Sequence, residues 1–373
     1  MTNAKIMRRT FSVCPVCLKR IQANHVMIDD NVYLQKECPD HGFFSSIIWR
    51  QKADINQWIG NIPEIGENEN SNCPNGCGLC PDHLQDTCCV LLEVTNRCNL
   101  NCNYCFADSK DAVDPSLEQI RTWLKQLAIP NKTLVQLSGG EPTIRDDLPE
   151  IVFEAKKAGC KYVQLNSNGV RLANDMKYVK ALAEAGLSFV FMQFDGTTDD
   201  IYEKLRNQSL LKFKQQAIEN CAKYNIGVTL VPMLVPGVNT HNIGDILRFA
   251  IKKSPAVRGV HFQPVSYFGR SPKLPVDEMR FTLDELLYEI EKQTCGFIKM
   301  KNLLPSRCDH PLCGFHGDFV VMSNELVPLL HRNPTKASCC CEPVSAEKNR
   351  EFVARRWQRE KQTEDCCSLH SQE

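Results

Sequence analysis

Three cysteines near position 100 have the spacing expected of an iron–sulfur site. Cys98, Cys102 and Cys105 form a C-x3-C-x2-C pattern directly after the apolar segment CVLLEVT at 89–95. Three thiolates can hold three irons of a 4Fe-4S cluster and leave the fourth iron open to a substrate or cofactor. A zinc knuckle is the alternative, but zinc takes four protein ligands and no fourth one lies at the usual spacing. The pattern therefore predicts an open, catalytic cluster.

Polar residues follow three later β-rich segments, where we expect a cofactor to bind. In the motif SGGEPT the glycines allow the backbone to approach a ligand closely, and Glu141 offers an acceptor for an ammonium group. Side-chain amides and a carboxylate at the next two segment ends suit hydroxyl and carboxylate groups of a cofactor, although turn or capping roles are the alternative for each. The expected cofactor-binding residues are Ser138, Gly139, Gly140, Glu141, Asn166, Asn168, Gln193 and Asp195.

The N-terminal segment contains the ligand pattern of a small metal ribbon. Cys14 and Cys17 form one C-x2-C hook, and Cys38 and His41 form a C-x2-H hook about twenty residues later. Two such hooks supply four ligands in a tetrahedron, which fits zinc or a single iron. We expect a structural role, with electron transfer as the alternative.

Further cysteines are numerous enough to bind auxiliary clusters. The first group could saturate a second 4Fe-4S cluster, as an electron relay or a structural lock, and His83 is a substitute ligand there. The second group could bind another cluster together with part of the triplet at 339–341, and the pair at 366–367 stays unassigned. The two groups are Cys73, Cys77, Cys80 and Cys88, and Cys308 and Cys313.

The composition excludes several other classes of protein. The chain has 373 residues with 21 cysteines, and its 44 basic residues balance 44 acidic ones. A balanced charge predicts no bulk attraction to nucleic acid or to an anionic membrane. The chain shows neither an apolar run of transmembrane length nor a secretory signal, so we expect a cytoplasmic protein with reduced cysteines rather than a disulfide framework.

The elements that must position these residues alternate between strands and helices. Six β-rich segments are separated by amphipathic helical stretches, which predicts parallel strands with right-handed crossovers and a (β/α)6 partial TIM barrel of the α/β class. Asp114 and Pro115 predict the start of the first helix, and Thr282 and Glu285 predict a capping box. The strands are expected at 89–95, 134–138, 161–167, 188–195, 227–234 and 257–265.

Four regions are expected along the chain. They are a metal-binding ribbon at 1–60, a Cys-rich linker with an auxiliary cluster at 61–89, the partial barrel at 90–295 and a Cys-rich C-terminal extension at 296–373.

The cluster motif and SGGEPT together resemble the radical S-adenosylmethionine (SAM) superfamily. The segments CPVC, CPDHGFF, CPNGCGLCPDH, MQFDG, VHFQPVSYFGR and CDHPLC extend the resemblance, over about residues 10–325, to the group containing tetraether lipid synthase and a dihydropterin methyltransferase. Within that superfamily the open iron is chelated by the methionine amino and carboxylate groups. Electron transfer from the cluster then cleaves SAM to a 5′-deoxyadenosyl radical.

The resemblance implies an enzyme that abstracts hydrogen from an unactivated carbon. It implies C–C bond formation or methylation of a lipid or a pterin, with an external electron donor such as ferredoxin or flavodoxin. Two alternatives stay open: a radical SAM peptide maturase, whose C-terminal C-x2-C-x5-C-x3-C pattern is absent after residue 295, and a noncatalytic iron–sulfur or zinc protein that binds a partner.

Overall fold

A computed structural model describes most of the chain. The described residues are 4–60, 89–107, 113–267, 269–272, 275–306, 312, 314–322, 325–329 and 346–359. No helix within those ranges is long and apolar enough to cross a membrane.

The N-terminal ribbon is a four-stranded antiparallel meander in the order β1-β2-β3-β4. The metal hooks fall in the turns: Val13 pairs with Arg20 around the first, and Cys38 pairs with Gly42 around the second. Both turns lie at the same end of the sheet because strands β1 and β3 run in the same direction. The strands are β1 (Lys5–Val13), β2 (Arg20–Ile28), β3 (Asn31–Cys38) and β4 (Gly42–Trp49).

A six-stranded parallel sheet forms the centre of the molecule and confirms the predicted α/β class. Its strand order, β11-β9-β8-β7-β6-β5, follows the chain apart from the short β10. Pro232 separates β9 from its continuation β10, and His261 and Phe262 separate β11 from its continuation β12. The two continuations pair separately as a short parallel ladder. The strands are β5 (Val90–Thr95), β6 (Leu134–Gly139), β7 (Tyr162–Ser167), β8 (Phe189–Gln193), β9 (Gly227–Val231), β10 (Met233–Leu234), β11 (Val257–Val260) and β12 (Gln263–Pro264).

Helices connect the strands and cover one face of the sheet. Alternate residues of β5 to β9, such as Leu137, Leu165 and Leu230, are buried against these helices in the main core. The other face carries mainly polar and aromatic side chains. The helices are α1 (Leu117–Leu127), α2 (Leu148–Lys157), α3 (Val170–Asn174), α4 (Met176–Glu184), α5 (Asp199–Arg206), α6 (Leu211–Lys223), α7 (Ile243–Lys252) and α8 (Leu283–Gln293).

Two helix starts test the sequence predictions. The capping box of Thr282 and Glu285 is confirmed at α8. The prediction that Asp114 starts α1 is wrong, because Ser116 is the N-cap and forms a capping box with Gln119. Asp114 instead accepts hydrogen bonds from the hydroxyl of Thr95 and the guanidinium of Arg97, so that it braces the start of the cysteine loop.

The ribbon is joined to the main sheet through α8. Val32, Trp49 and Trp58 share a buried apolar cluster with Leu286 and Leu287. Beside this cluster, Asp284 Oδ2 accepts hydrogen bonds from the backbone N–H groups of Arg50 and Lys52, and the Arg50 side chain forms an ion pair with Glu285 at 3.1 Å. These contacts fix the ribbon on the helix that follows the last long strand.

The described part of the C-terminal region consists of short strands and one helix. Helix α9 (Ala346–Trp357) places Trp357 against Phe189 and Phe191, at ring-centroid distances of 5.5 and 4.7 Å. Arg356 forms an ion pair with Asp318 at 2.9 Å, and Arg359 donates to the carbonyl of Ala222. This helix therefore packs on the sheet. The short strands are β13 (Leu304–Pro305), β14 (Phe315–His316), β15 (Phe319–Met322) and β16 (Glu325–Pro328).

Candidate active site

The loop 96–105 contains the three cysteines of the predicted cluster and begins directly after β5. Cys98 and Cys102 pack beside Leu100, Tyr202 and Leu210. Burial raises the pKa of the Cys98 thiol to about 11, and the charges of Glu141, Cys102 and Cys105 add to the rise against a backbone N–H from Leu100 that lowers it. The sulfurs thus share one partly buried region, where positive iron would offset their mutual repulsion. This donor set fits a three-thiolate cluster with one open iron.

Two glycines of SGGEPT hold the start of this loop against β6. The N–H of Gly140 donates to the carbonyl of Thr95 at 2.8 Å, and the N–H of Glu141 donates to that of Arg97 at 2.9 Å. A Cβ on Gly139 would lie 2.0 Å from the Thr95 oxygen, and one on Gly140 would lie 2.1 Å from the Arg97 oxygen. Glycine is therefore needed at both positions, because a side chain there would prevent the backbone after β6 from approaching the cysteine loop this closely.

A second backbone contact holds the end of the loop. Cys105 and Arg270 exchange both backbone hydrogen bonds, at 3.0 and 2.8 Å, as an isolated antiparallel bridge. Gly269 has a φ of +69°, and a Cβ there would lie 2.5 Å from the Cys105 oxygen. The Arg270 guanidinium also donates to Asn101 Oδ1. Gly269 and Arg270, at the end of a segment that carries part of the family resemblance, thus hold the third cysteine in place.

The C-terminal end of α5 holds the middle of the loop. The N–H of Asn103 donates to the carbonyl of Leu205 at 3.0 Å, and its side chain donates to the carbonyl of Lys204 at 2.8 Å. Asn207, in the left-handed conformation with a φ of +60°, donates to the carbonyl of Asn101. The two bonds from Asn103 satisfy carbonyls that the end of α5 leaves unpaired, and the bond from Asn207 satisfies a carbonyl of the cysteine loop.

The Glu141 carboxylate is buried and accepts hydrogen bonds from two neighbouring segments. Oε1 accepts from the N–H and the hydroxyl of Thr143, at 3.1 and 2.6 Å, and from the hydroxyl of Ser167 at 2.8 Å. Oε2 accepts from the N–H of Asn168 at 2.6 Å. Glu141 therefore caps the short helical turn after β6 and ties it to the end of β7. A contact with a methionine ammonium group stays a prediction.

The predicted residues at the end of β7 lie next to those of β6. The Asn166 amide donates to the hydroxyl of Ser138 at 3.2 Å. The Asn168 amide donates to Asn99 Oδ1 at 2.7 Å, which links β7 directly to the cysteine loop. The structure thus brings the predicted residues of three successive strands to one edge of the sheet.

Asp195 lies in a buried ion pair. Its carboxylate accepts two hydrogen bonds from the Arg206 guanidinium, at 2.7 and 2.8 Å, and neither side chain is more than 6% exposed. Arg206 also donates to the carbonyl of Tyr104 and interacts with the side chain of Cys102. Asp195 is thereby connected to the cysteine loop through Arg206, and its binding of cofactor hydroxyls stays a prediction.

Lys214 is a functional candidate that the sequence analysis missed. Its ammonium group is fully buried and donates to the carbonyl of Asn168 and to Gln193 Oε1, the latter at 3.2 Å. Burial lowers the pKa of Lys214 to about 8, with Arg206 lowering it and Asp195, Glu141 and Cys102 opposing. The available signal was the spacing of this lysine in the sequence. Lys214 lies three residues before Ala217 and seven before Cys221, which places it on the apolar face of α6.

The ribbon residues form a compact group of four possible metal ligands. The ligand atoms of Cys14, Cys17, Cys38 and His41 all lie within 4.8 Å of one another, and the Cys17 and Cys38 sulfurs are 3.9 Å apart. Sulfurs at about 2.3 Å from a tetrahedral zinc lie about 3.8 Å apart, so the group fits the ion. Burial opposes ionisation of Cys14, but N–H groups of Cys17 and Val16 and neighbouring thiols lower its pKa to about 6.

The remaining predicted ligands lie outside the described residues. These are Cys73, Cys77, Cys80, Cys88, Cys308 and Cys313, together with the cysteines at 339–341 and 366–367.

Comparison with known proteins identifies the family that the parallel-sheet region matches and the family that the ribbon matches. Residues 92–250 match the Radical SAM superfamily, and residues 6–50 match the HMPTM N-terminal zinc ribbon domain. The predicted superfamily is thus confirmed for residues 92–250, which are preceded by a region that matches a zinc ribbon, and the superfamily match implies the predicted 4Fe-4S cluster and SAM cofactors.

The chain is also similar to individual proteins with known names. The chain is 41% identical over 309 residues to 7,8-dihydro-6-hydroxymethylpterin dimethyltransferase of Methanocaldococcus jannaschii, covering 80% of this chain and 61% of that protein. It is 30% identical to Fe-coproporphyrin III synthase of Methanosarcina barkeri, over 69% of this chain and 62% of the other. It therefore spans about three fifths of these relatives. The crystal structure of methylornithine synthase superposes with a TM-score of 0.44 at 15% identity, over 55% of this chain and 62% of the other.

Proposed function

We propose that the protein cleaves SAM reductively at a 4Fe-4S cluster and that the resulting 5′-deoxyadenosyl radical abstracts a hydrogen atom from an unactivated carbon, for the methylation of a pterin. The radical leaves as 5′-deoxyadenosine, and the methyl carbon comes from a separate one-carbon donor, either a second SAM or a methylene-carrying reduced folate. The observation that carries the proposal is the loop 96–105, whose three cysteines are held by backbone bonds from β6, α5 and the segment after β12. The pterin follows from the 41% identical relative, whose name specifies that substrate class. C–C bond formation on a lipid is the other outcome that the family resemblance implies.

The chain's own residues would perform three tasks. Cys98, Cys102 and Cys105 would bind three irons and leave the fourth for the methionine group of SAM. Asn168 and Gln193, both held by Lys214, would present side chains to the remainder of the cofactor. A cluster bound by these cysteines would supply the electron that breaks the carbon–sulfur bond of SAM, and an external donor such as ferredoxin or flavodoxin would supply that electron to the cluster.

The proposed organisation extends beyond the described residues. The parallel sheet would form a (β/α)6 partial barrel over 90–295, between the ribbon at 1–60 with its linker at 61–89 and the Cys-rich extension at 296–373. In the linker, Cys73, Cys77, Cys80 and Cys88 would bind an auxiliary cluster, and Cys308 and Cys313 would contribute to another. Either would serve as an electron relay or a structural lock.

Replacement of the three loop cysteines tests the proposal. The Cys98→Ala, Cys102→Ala, Cys105→Ala triple variant, reconstituted anaerobically, should lose one cluster's iron and all formation of 5′-deoxyadenosine from SAM and dithionite. Cys295→Ala is the control, because that exposed thiol lies away from the loop and should retain both. Cleavage of SAM by the triple variant would exclude the cluster assignment.

The substrate needs a separate assay. The wild-type protein with excess SAM, dithionite and 7,8-dihydro-6-hydroxymethylpterin, with and without a methylene-carrying reduced folate as the methyl donor, should yield a product with the mass of one or two added methyl groups. SAM cleavage without any change in the pterin would retain the radical chemistry and exclude this substrate.

A further inference from the structure

The last residue of α5 is a buried arginine that faces the cysteine loop. Arg206 is only 5% exposed. Its Nε and Nη2 groups donate to the two carboxylate oxygens of Asp195, at 2.7 and 2.8 Å, and Nη1 donates to the carbonyl of Tyr104 at 3.3 Å. A guanidinium has five N–H groups, so these bonds leave two of them for other partners.

The end of α5 is held directly against Cys102. The N–H of Asn103 donates to the carbonyl of Leu205 at 3.0 Å, which joins the residue after Cys102 to the residue before Arg206. Cys102 also packs beside Tyr202, one helical turn earlier on α5. At this approach the Arg206 guanidinium forms a hydrogen bond with the Cys102 side chain. An N–H of a permanently charged group therefore reaches one of the sulfurs that we expect to bind iron.

The neighbouring cation, Lys214, is engaged elsewhere. Its ammonium group donates to the carbonyl of Asn168 and to Gln193 Oε1, at the ends of β7 and β8. Arg206 is thus the buried cation whose hydrogen bonds include the cysteine loop, at both the Cys102 side chain and the Tyr104 backbone.

Such a contact has a definite effect on an iron–sulfur cluster. The reduction potential of a cluster depends on nearby charge and on hydrogen bonds to its sulfurs. Reduction adds one electron and makes the sulfurs more negative, so a positive charge and an N–H at a ligand sulfur stabilise the reduced form more than the oxidised form. A cluster with this contact accepts an electron at a higher potential than one without it.

We propose that Arg206 is a positioning residue that acts through Cys102, and that its N–H and its charge raise the reduction potential of the cluster at the cysteine loop. Asp195 holds the guanidinium in this orientation and offsets part of its charge. The inference rests on the proposed function, because it requires a cluster on Cys98, Cys102 and Cys105.

A redox titration of the full-length, anaerobically reconstituted protein tests the inference. It is followed by electron paramagnetic resonance without SAM, with dithionite as the reductant. The signal to titrate is the one that the Cys98→Ala, Cys102→Ala, Cys105→Ala variant loses, so any auxiliary cluster is left out.

Arg206→Met should make reduction less favourable. Loss of one charge-assisted hydrogen bond changes an equilibrium constant by about tenfold. For a one-electron couple this lowers the potential by about 59 mV.

Asp195→Asn should shift the potential in the opposite direction. It keeps the shape of the partner and removes the charge that offsets Arg206, so the potential should rise. If Arg206 only stabilised the fold, both variants would loosen the loop, admit water to the cluster and shift the potential in the same direction. Should Arg206→Met bind no cluster, an unchanged or lowered potential in Asp195→Asn would overturn the inference.

Arg145→Met is the matched control. Arg145 is also buried, forms an ion pair with Asp147 at 2.6 Å and donates to the carbonyls of Val94 and Pro115. Its replacement should lower the unfolding temperature and leave the potential unchanged.

A wild-type potential in Arg206→Met, or an equal decrease in Arg145→Met, would overturn the inference. Iron content and SAM cleavage of the wild-type protein are measured separately. Wild-type SAM cleavage together with a wild-type potential in Arg206→Met would therefore exclude this role of Arg206 and leave the proposed radical chemistry intact.

Discussion

At the scale of single residues, Glu141 has one observed role and one predicted role. Its carboxylate accepts four hydrogen bonds that join the turn after β6 to the end of β7. The same residue follows two glycines next to the cysteine loop, which is the reason to expect contact with the methionine ammonium group. The capping role and the cofactor-binding role predict different effects of a substitution on SAM affinity and on the unfolding temperature.

Glu141→Gln keeps the size of the side chain and removes its charge. If Glu141 binds the ammonium group, SAM affinity should fall about tenfold to a hundredfold while the cluster spectrum stays unchanged, because a charge-assisted hydrogen bond is worth about 1.5 to 3 kcal/mol. If it only caps the turn, the unfolding temperature should fall at normal affinity. Titration and melting in one buffer separate these results.

Lys214 should leave a signature in the pH dependence of stability. Its pKa is lowered to about 8 in the folded protein, against 10.5 for an exposed lysine. Between these values the unfolded chain binds more protons, so stability should rise with pH across that window, by about 3 kcal/mol at 1.36 kcal/mol per pKa unit.

The variant Lys214→Met tests this pH dependence, and Lys212→Met on the same helix is its control. Lys214→Met should lose the rise in unfolding free energy between pH 8 and 10.5, measured by denaturant titration, and Lys212→Met should retain it. Parallel pH profiles in the wild-type protein and Lys214→Met would contradict the assignment.

At the scale of elements, the approach of β6 to the cysteine loop depends on Gly140. Gly140→Ala would place a Cβ 2.1 Å from the Arg97 carbonyl, so the loop should move and the iron content after reconstitution should fall. Gly237→Ala is the control. Its φ of +75° makes alanine strained by about 1 to 2 kcal/mol, yet its Cβ meets no atom within 4 Å, so iron content should be normal. Equal iron content in the two variants would refute the role of this contact.

The ribbon should keep its metal only while its ligand set is complete. His41→Ala removes one of the four ligands, so this variant should lose zinc to EDTA faster than the wild-type protein does, with about one ion bound per ribbon before chelation. His25→Ala, on β2 of the same ribbon, leaves the ligand set intact and should retain the wild-type release rate. Metal analysis against time measures both, and indistinguishable release would argue against His41 as a ligand.

At the scale of the whole molecule, α9 joins the C-terminal region to the parallel sheet. Trp357 packs on Phe189 and Phe191, and the backbone beside it approaches Gly227 so closely that a Cβ there would lie 2.1 Å from the Trp357 oxygen. Helix α9 is thus an integral part of the fold.

Trp357→Ala should lower the free energy of unfolding by about 3 kcal/mol, because a large aromatic side chain is removed from a packed cluster. Gln358→Ala, at the exposed neighbouring position, should change it by less than about 0.5 kcal/mol. Denaturant unfolding of both variants checks the difference, and a similar small effect for both would show that α9 contributes little.

The sequence alone was sufficient to predict the strand-helix alternation, the grouping of four possible metal ligands in the ribbon and the class of the cysteine loop. These patterns depend on residues close together in the chain: Cys14 and Cys17 belong to one turn, and the loop cysteines lie within eight positions. Local spacing is sufficient there because a short loop places its ligands near one another whatever the rest of the fold does.

Only the tertiary structure decided the surroundings of these motifs. It paired Asp195 with Arg206, brought Lys214 to the ends of β7 and β8, and turned Glu141 toward Ser167. It also started α1 at Ser116, because Asp114 is engaged by Thr95 and Arg97 about twenty residues earlier in the chain. Each of these contacts joins separate elements, and the parallel sheet brings their ends together at distances that sequence separation does not predict.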